Sequence, residues 1–111
     1  MDLAVLNTTI MTAPGDFSCK PISLEDARQL VAEADGIDSA VGHTATAEVL
    51  TTLLGVEIPT VRQDFVQQVG QKALAFKLLS RVEEGKILTR EEIERVGYKF
   101  FLMVRKTATA S

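Results

Sequence analysis

The stretch Ser39-Ala-Val-Gly-His-Thr-Ala-Thr-Ala-Glu-Val-Leu-Thr-Thr-Leu-Leu-Gly55 decides the architecture. Its second half has helical spacing. Ala47, Leu50 and Leu54 recur at i, i+3 and i+7, and Val49 and Leu53 widen the apolar stripe. Gly55 follows the last apolar residue, where a left-handed C-terminal cap favours glycine. Upstream, Ala40-Val41 follows Ile37 in a short β-like run. The order is strand, Gly42-His43 turn, helix.

That order has a chemical consequence. The first turn of a helix carries backbone N–H groups without intrahelical partners, and the positive end of the dipole adds to their attraction for anions. Gly42 lets the chain turn there, and Thr44 and Thr46 add hydroxyl donors. His43 is the only histidine of the chain. An imidazole so placed can reach a bound phosphate and move a proton to or from its oxygens. The alternative is a plain helix cap with its ring in solvent.

Toward the N-terminus, Leu3-Ala-Val-Leu6 suits a buried, parallel-paired strand. Asn7, Thr8 and Thr9 follow at its end. In α/β sheets ligands gather outside the carboxyl ends of strands, so these three are candidate ligand contacts; an ordinary turn is the other reading. Pro14-Gly15 marks a turn, and Asp16–Lys20 reads as an edge strand. Ser23-Leu-Glu-Asp26 resembles a capping box and opens a helix that ends at Asp35-Gly36.

Toward the C-terminus, Pro59 bars a continuous helix, and Val61, Phe65 and Val69 fall on one face of an expected strand. Gln63 and Gln67 share that face, which points to a cleft or a subunit interface rather than a sealed core. Ala73–Leu79 is the most apolar strand candidate and the expected central one, although its Leu, Ala and Lys also suit a helix. Thr89-Arg-Glu-Glu92 is a capping box with Leu88 and Ile93 as its staple, opening a brief helix that stops at Gly97. Tyr98–Val104 is the last strand, and residues 107–111 form a polar tail expected to fray.

The 111 residues fit one domain, spanning 1–106, whose small size would gain from dimerisation. Net charge is −3 with 46% hydrophobic residues, a balance that argues against general binding of long DNA or RNA. A phosphorylated ligand must instead meet a local positive pocket. Cys19 is the sole cysteine, so neither a disulfide framework nor a cysteine-rich zinc site is expected, and no cofactor or metal is called for. No apolar run has the length of a membrane span and no signal peptide is evident, so the cytoplasm is the expected location.

Beyond His43, Arg81 and Glu84 stand three apart at the exit of the expected central strand. Arginine offers a planar fork for phosphate oxygens; glutamate can orient it, position a ribose hydroxyl or act as a base. Together with His43 they would make a metal-free phosphodiester cleavage site. Alone they would be an exposed ion pair in a turn.

Leu6-Asn-Thr-Thr-Ile10, Pro21-Ile-Ser-Leu-Glu25, Ser39-Ala-Val-Gly-His43, Thr46-Ala-Glu-Val-Leu50, Leu54-Gly55 and Glu84-Gly-Lys-Ile-Leu-Thr89 run in order through nearly the whole chain. On these stretches the chain resembles a family of small α/β proteins of archaeal viruses, phages and bacteria that includes the viral type III anti-CRISPR ring nucleases and the cellular CRISPR ring nuclease 2. The resemblance implies an α+β (α/β) fold, a mixed β-sheet of about five strands flanked by helices, assembled as a homodimer. It also implies metal-independent cleavage of cyclic tetra-adenylate to linear di-adenylates ending in 2′,3′-cyclic phosphate, which would switch off type III CRISPR signalling. His43 matches the catalytic general acid, and Arg81 and Glu84 match its active-site partners. Asn7 and Thr8 match the segment that contacts the ligand. If the protein is viral, its location would be the host cytoplasm. A non-catalytic binder of the same ring, or a structural partner-binding viral protein, remains the alternative from the residues alone.

Overall fold

A computed structural model of the chain describes residues 2–79 and 89–108. Arg81, Glu84 and Leu88 lie outside the described residues, as do 109–111.

Five strands and three helices follow in the order β1 (Leu3–Leu6), β2 (Phe17–Ile22), α1 (Leu24–Glu33), β3 (Ile37–Ser39), α2 (Thr44–Leu54), β4 (Lys72–Leu78), α3 (Arg90–Val96) and β5 (Tyr98–Arg105). One mixed sheet has the order β2-β5-β4-β1-β3. β1 is parallel to both β3 and β4, while β5 is antiparallel to β4 and β2. The expected α+β fold with a five-stranded mixed sheet is what the chain adopts, with Lys72–Leu78 central and Phe17–Ile22 at an edge.

Strand alternation sorts the core into two layers. Leu3, Val5, Leu74, Phe76 and Phe100 face the helices and meet Ala27 of α1, Ala47, Val49, Leu50 and Leu53 of α2, and Ile93 of α3. The opposite face presents Ala4, Leu6, Ala73, Ala75 and Met103, against which Phe17, Ala40, Phe65 and Phe101 pack. Three fully buried alanines make this second layer shallow, and no helix of the described residues covers it.

The helix ends are fixed by the residues that their sequence marks. Ser23 accepts from Asp26 N at 3.1 Å, and Thr89 and Glu92 form a reciprocal capping box. Gly55 closes α2 at φ 74°, a conformation that costs other L-residues about 1–2 kcal/mol. Arg28 of α1 donates to Leu53 O at 2.8 Å, placing a cation on the negative end of α2.

Residues 61–69, expected as a strand, are not one; this is a correction. The segment forms no regular secondary structure and has no ladder partner. It is held by single bonds instead: Val61 N to Val41 O at 2.9 Å, and Gln67 N to Thr12 Oγ1 at 2.8 Å. Gln67 is fully buried, its amide donating to Gln71 O and Met103 O, so it seals a core rather than lining an interface. Gln63 is exposed and does line a cleft, described below. At the C-terminus, Thr107 is tied down: Asp16 N donates to its Oγ1 at 3.0 Å.

Candidate functional site

The carboxyl ends of β1 and β3 open onto a depression of about 520 Å³ lined by Asn7, Gly42, His43, Arg62, Gln63 and Asp64. Asn7 arrives there because β1 ends at Leu6. Gly42 and His43 arrive because β3 ends at Ser39, after which Ala40 N makes one more bond to Val5 O at 2.9 Å. His43 then occupies the N-cap of α2.

Its backbone does the capping and its ring does not. His43 has the extended geometry of an N-cap, φ −118° and ψ 123°, and its carbonyl accepts from Ala47 N at 3.0 Å. The imidazole makes no capping hydrogen bond and is exposed. The first turn of α2 contains no acidic side chain. The first-turn amides and the positive end of the α2 dipole therefore have no resident carboxylate from their own helix, and the N-cap residue His43 lines the depression.

The turn that carries His43 is held by a strap, residues 59–63. Ser39 Oγ donates to Pro59 O at 2.7 Å and accepts from Val41 N at 3.3 Å. Gln63 Nε2 donates to Ser39 O at 2.6 Å and to Asp38 Oδ1 at 3.0 Å. Arg62 Nε donates to Gly42 O at 3.1 Å, which fixes the guanidinium beside His43. A Cβ on Gly42 would stand 3.3 Å from Arg62 Cγ, so a side chain there would push the arginine back by a few tenths of an ångström.

Of the residues singled out from the sequence, Asn7, Gly42 and His43 meet in the depression. Thr8, Thr9 and Thr44 are exposed and Thr46 is half-buried; none of these four lines it. Arg81 and Glu84 lie outside the described residues. Arg62 is the member that sequence reading missed. Its place comes from a contact 20 residues away in the chain, for which the local pattern gives no signal. Asp64 also lines the depression, so the site is not uniformly positive.

Among the described residues no group of three or more His, Cys, Asp or Glu side chains could hold a metal ion. Among them, too, no helix is long and apolar enough to cross a membrane.

Fold and site together define a small α+β protein with a histidine at a helix N-terminus, at the carboxyl edge of a mixed sheet. The chain belongs to the STIV B116-like family, whose model matches residues 3–100. It is 40% identical over 105 residues to the uncharacterized protein 26 of Sulfolobus islandicus filamentous virus (isolate Iceland/Hveragerdi), covering 90% of this chain and 88% of that protein. It is 36% identical over 106 residues to the uncharacterized protein YddF of Bacillus subtilis (strain 168), covering 95% and 98% respectively. Among solved structures, B116 of Sulfolobus turreted icosahedral virus superposes with a TM-score of 0.79 at 22% identity, over 95% of this chain and 100% of that one. At that identity the match speaks for the fold.

Proposed function

We propose that this protein is a metal-independent ring nuclease that, as a homodimer, binds cyclic tetra-adenylate and cleaves it to linear di-adenylates, so ending type III CRISPR signalling. The observation that carries the reading is the uncommitted imidazole of His43 at the N-terminus of α2, in one depression with Asn7 and the Arg62 guanidinium.

The chemistry needs little from the protein. A ribose 2′-oxygen attacks its own phosphorus, and the bond from phosphorus to the 5′-oxygen breaks. The 2′-hydroxyl proton goes to a base, and the leaving 5′-oxygen takes a proton from His43. The products carry a 2′,3′-cyclic phosphate and a 5′-hydroxyl. Holding the 2′-oxygen in line contributes several kcal/mol of barrier lowering. Proton donation by His43 adds roughly 10²- to 10⁴-fold. The α2 amides and Arg62 stabilise the charge that builds on the phosphorane. Arg81 and Glu84 complete the set in this reading, as phosphate clamp and as base or ribose anchor.

A ring of four repeats suits a two-fold axis, with each protomer addressing opposite phosphodiesters. The surface also offers material for a second copy: Ile10, Met11 and Val66 are 48%, 67% and 55% exposed, on segments joined by the Gln67 N to Thr12 bond.

The deciding experiment is incubation with labelled cyclic tetra-adenylate in the presence of a chelator, followed by denaturation and product analysis. Linear di-adenylates with cyclic phosphate termini are expected. Intact ring recovered from a protein-bound fraction would make the protein a binder, and absence of binding would overturn the reading altogether.

A further inference from the structure

The register of the two central strands sets Lys77 of β4 directly opposite Lys99 of β5. Cross-strand partners in an antiparallel pair have Cβ atoms about 4.5–5.5 Å apart, and like charges so placed destabilise a sheet. Both lysines are exposed, and among the described residues neither takes part in an ion pair. Their strand parity puts them on the face of Ala73, Ala75, Phe101 and Met103, away from the helices.

A lysine on an edge strand guards against pairing with other chains. That explanation does not apply here, since β4 and β5 both have neighbours on either side. Nor is either lysine needed as a stem over the core, because the alanine layer beneath is closed by Phe65 and Phe101. The pair thus concentrates two positive charges at one point of a chain whose net charge is −3.

Topology places that point at the same end of the sheet as His43. β1, β3 and β4 are parallel, so Lys77, near the carboxyl end of β4, stands level with the residues that follow Leu6 in β1. Lys99 is the second residue of β5 and shares that level. Between the β4–β5 pair and β3 lies only β1. At about 4.8 Å per strand, the lateral separation from the β3–α2 turn is roughly 10 Å for Lys77 and roughly 14 Å for Lys99. This is the scale of neighbouring nucleotide units, not of one phosphate.

From this juxtaposition we propose that Lys77 and Lys99 form a second anion subsite, which receives a phosphodiester of the same ring that occupies the His43 depression, one not being cleaved. The proposal rests on the ring-nuclease reading for the identity of the ligand, while the subsite itself is a property of the lysine pair. Bound phosphate removes the repulsion between the two ammonium groups, so each lysine contributes to binding more than an isolated surface cation would. The subsite acts on affinity for the ring, not on the proton transfer at His43.

The test uses Lys77→Gln, Lys99→Gln and the double variant, with Lys77→Glu as the charge reversal. Affinity for cyclic tetra-adenylate is read by isothermal titration across a salt series, and cleavage by single-turnover rate at saturation. Each glutamine is expected to weaken binding by roughly two- to fivefold, and the double variant to flatten the slope of log affinity against log salt by about 1. The saturated cleavage rate should stay within twofold. In the absence of ligand, Lys77→Glu should melt above the parent, because a repelling pair becomes an attracting one. Unchanged affinity and salt slope in the double variant would overturn the subsite. If the parent itself neither binds nor cleaves the ring, the ring-nuclease reading fails. In that case titration of inorganic pyrophosphate, followed by NMR of the Lys77 and Lys99 amides, decides the subsite alone: shifts confined to those positions support it, and none overturns it.

Discussion

Substituting His43 by serine and, separately, by alanine should push stability and activity in different directions. In this chain two helices already show what an N-cap hydroxyl does: Ser23 accepts from Asp26 N at 3.1 Å, and Thr89 from Glu92 N at 3.2 Å. His43 holds the same extended backbone position at α2 without any side-chain cap bond. A serine there gains the missing bond from the amide three residues on, Thr46 N, and a capping hydroxyl is worth about 1 kcal/mol over alanine. For a domain of this size that difference corresponds to a melting temperature about 4–8 °C higher for His43→Ser than for His43→Ala. Alanine removes an exposed ring that makes no capping bond, so it should melt within about 0.5 kcal/mol of the parent. On the proposed mechanism both variants lack the proton donor and should cleave cyclic tetra-adenylate at least roughly 10²-fold more slowly in single turnover. Binding should stay within about tenfold, since a donor that acts as the bond breaks contributes mainly to the transition state. Equal melting of the two variants would refute the cap geometry. A parental rate in His43→Ala would refute the catalytic role, and parallel loss of rate and affinity would make His43 a binding residue.

Arg62→Ala should weaken ring binding and slow cleavage together, because in the proposed mechanism its guanidinium holds the phosphate in both ground and transition states; equal parental values in both assays would remove Arg62 from the site. Gln67→Leu should cost about 1–3 kcal/mol in denaturant unfolding, since Gln71 O and Met103 O lose a buried donor; an unchanged midpoint would mean that water replaces the amide. Tyr98 is the only tyrosine, so absorbance titration reads it alone. Burial, then the bond to Glu94, raises its pKa above 10.0, and the unfolded phenol therefore ionises first. The stability linked to Tyr98 is complete below pH 10 and is lost as pH climbs from there through the raised folded value; a midpoint at or below 10.0 would contradict this. Light scattering at tens of micromolar should report a dimer, and a monomer would count against the symmetric ring reading.

What the sequence made legible was the local grammar of element ends. Ser23, Thr89 with Glu92, and Gly55 each mark a helix end through a hydrogen bond or a dihedral that its own neighbours satisfy. The strands Leu3–Leu6 and Lys72–Leu78 were legible because continuous apolar runs are what doubly covered strands require. Residues 61–69 misled for a definite reason. Alternation reports that an extended segment has two unlike sides, and says nothing of whether another strand is free to pair with it. Here Phe65 packs on the Ala4, Ala73 and Ala75 face of the sheet, and the segment fastens through Gln63, Gln67 and Arg62 rather than through a ladder. In the site, Asn7 and His43 could be found because chain order puts them just after strands, whereas Arg62 reaches Gly42 only through the folded crossing.

The shallow layer of Ala4, Ala73 and Ala75 gives the site a remote set of adjusting points. The segment that packs on those alanines through Phe65 is continuous with the strap that sets Arg62 and Gln63 beside His43. Adding even a methylene or two at residue 4, 73 or 75 would lift Phe65 outward, and the displacement would run along the chain into the depression. Random mutagenesis scored for altered ligand preference should therefore return hits at these three positions, none of which lines the depression.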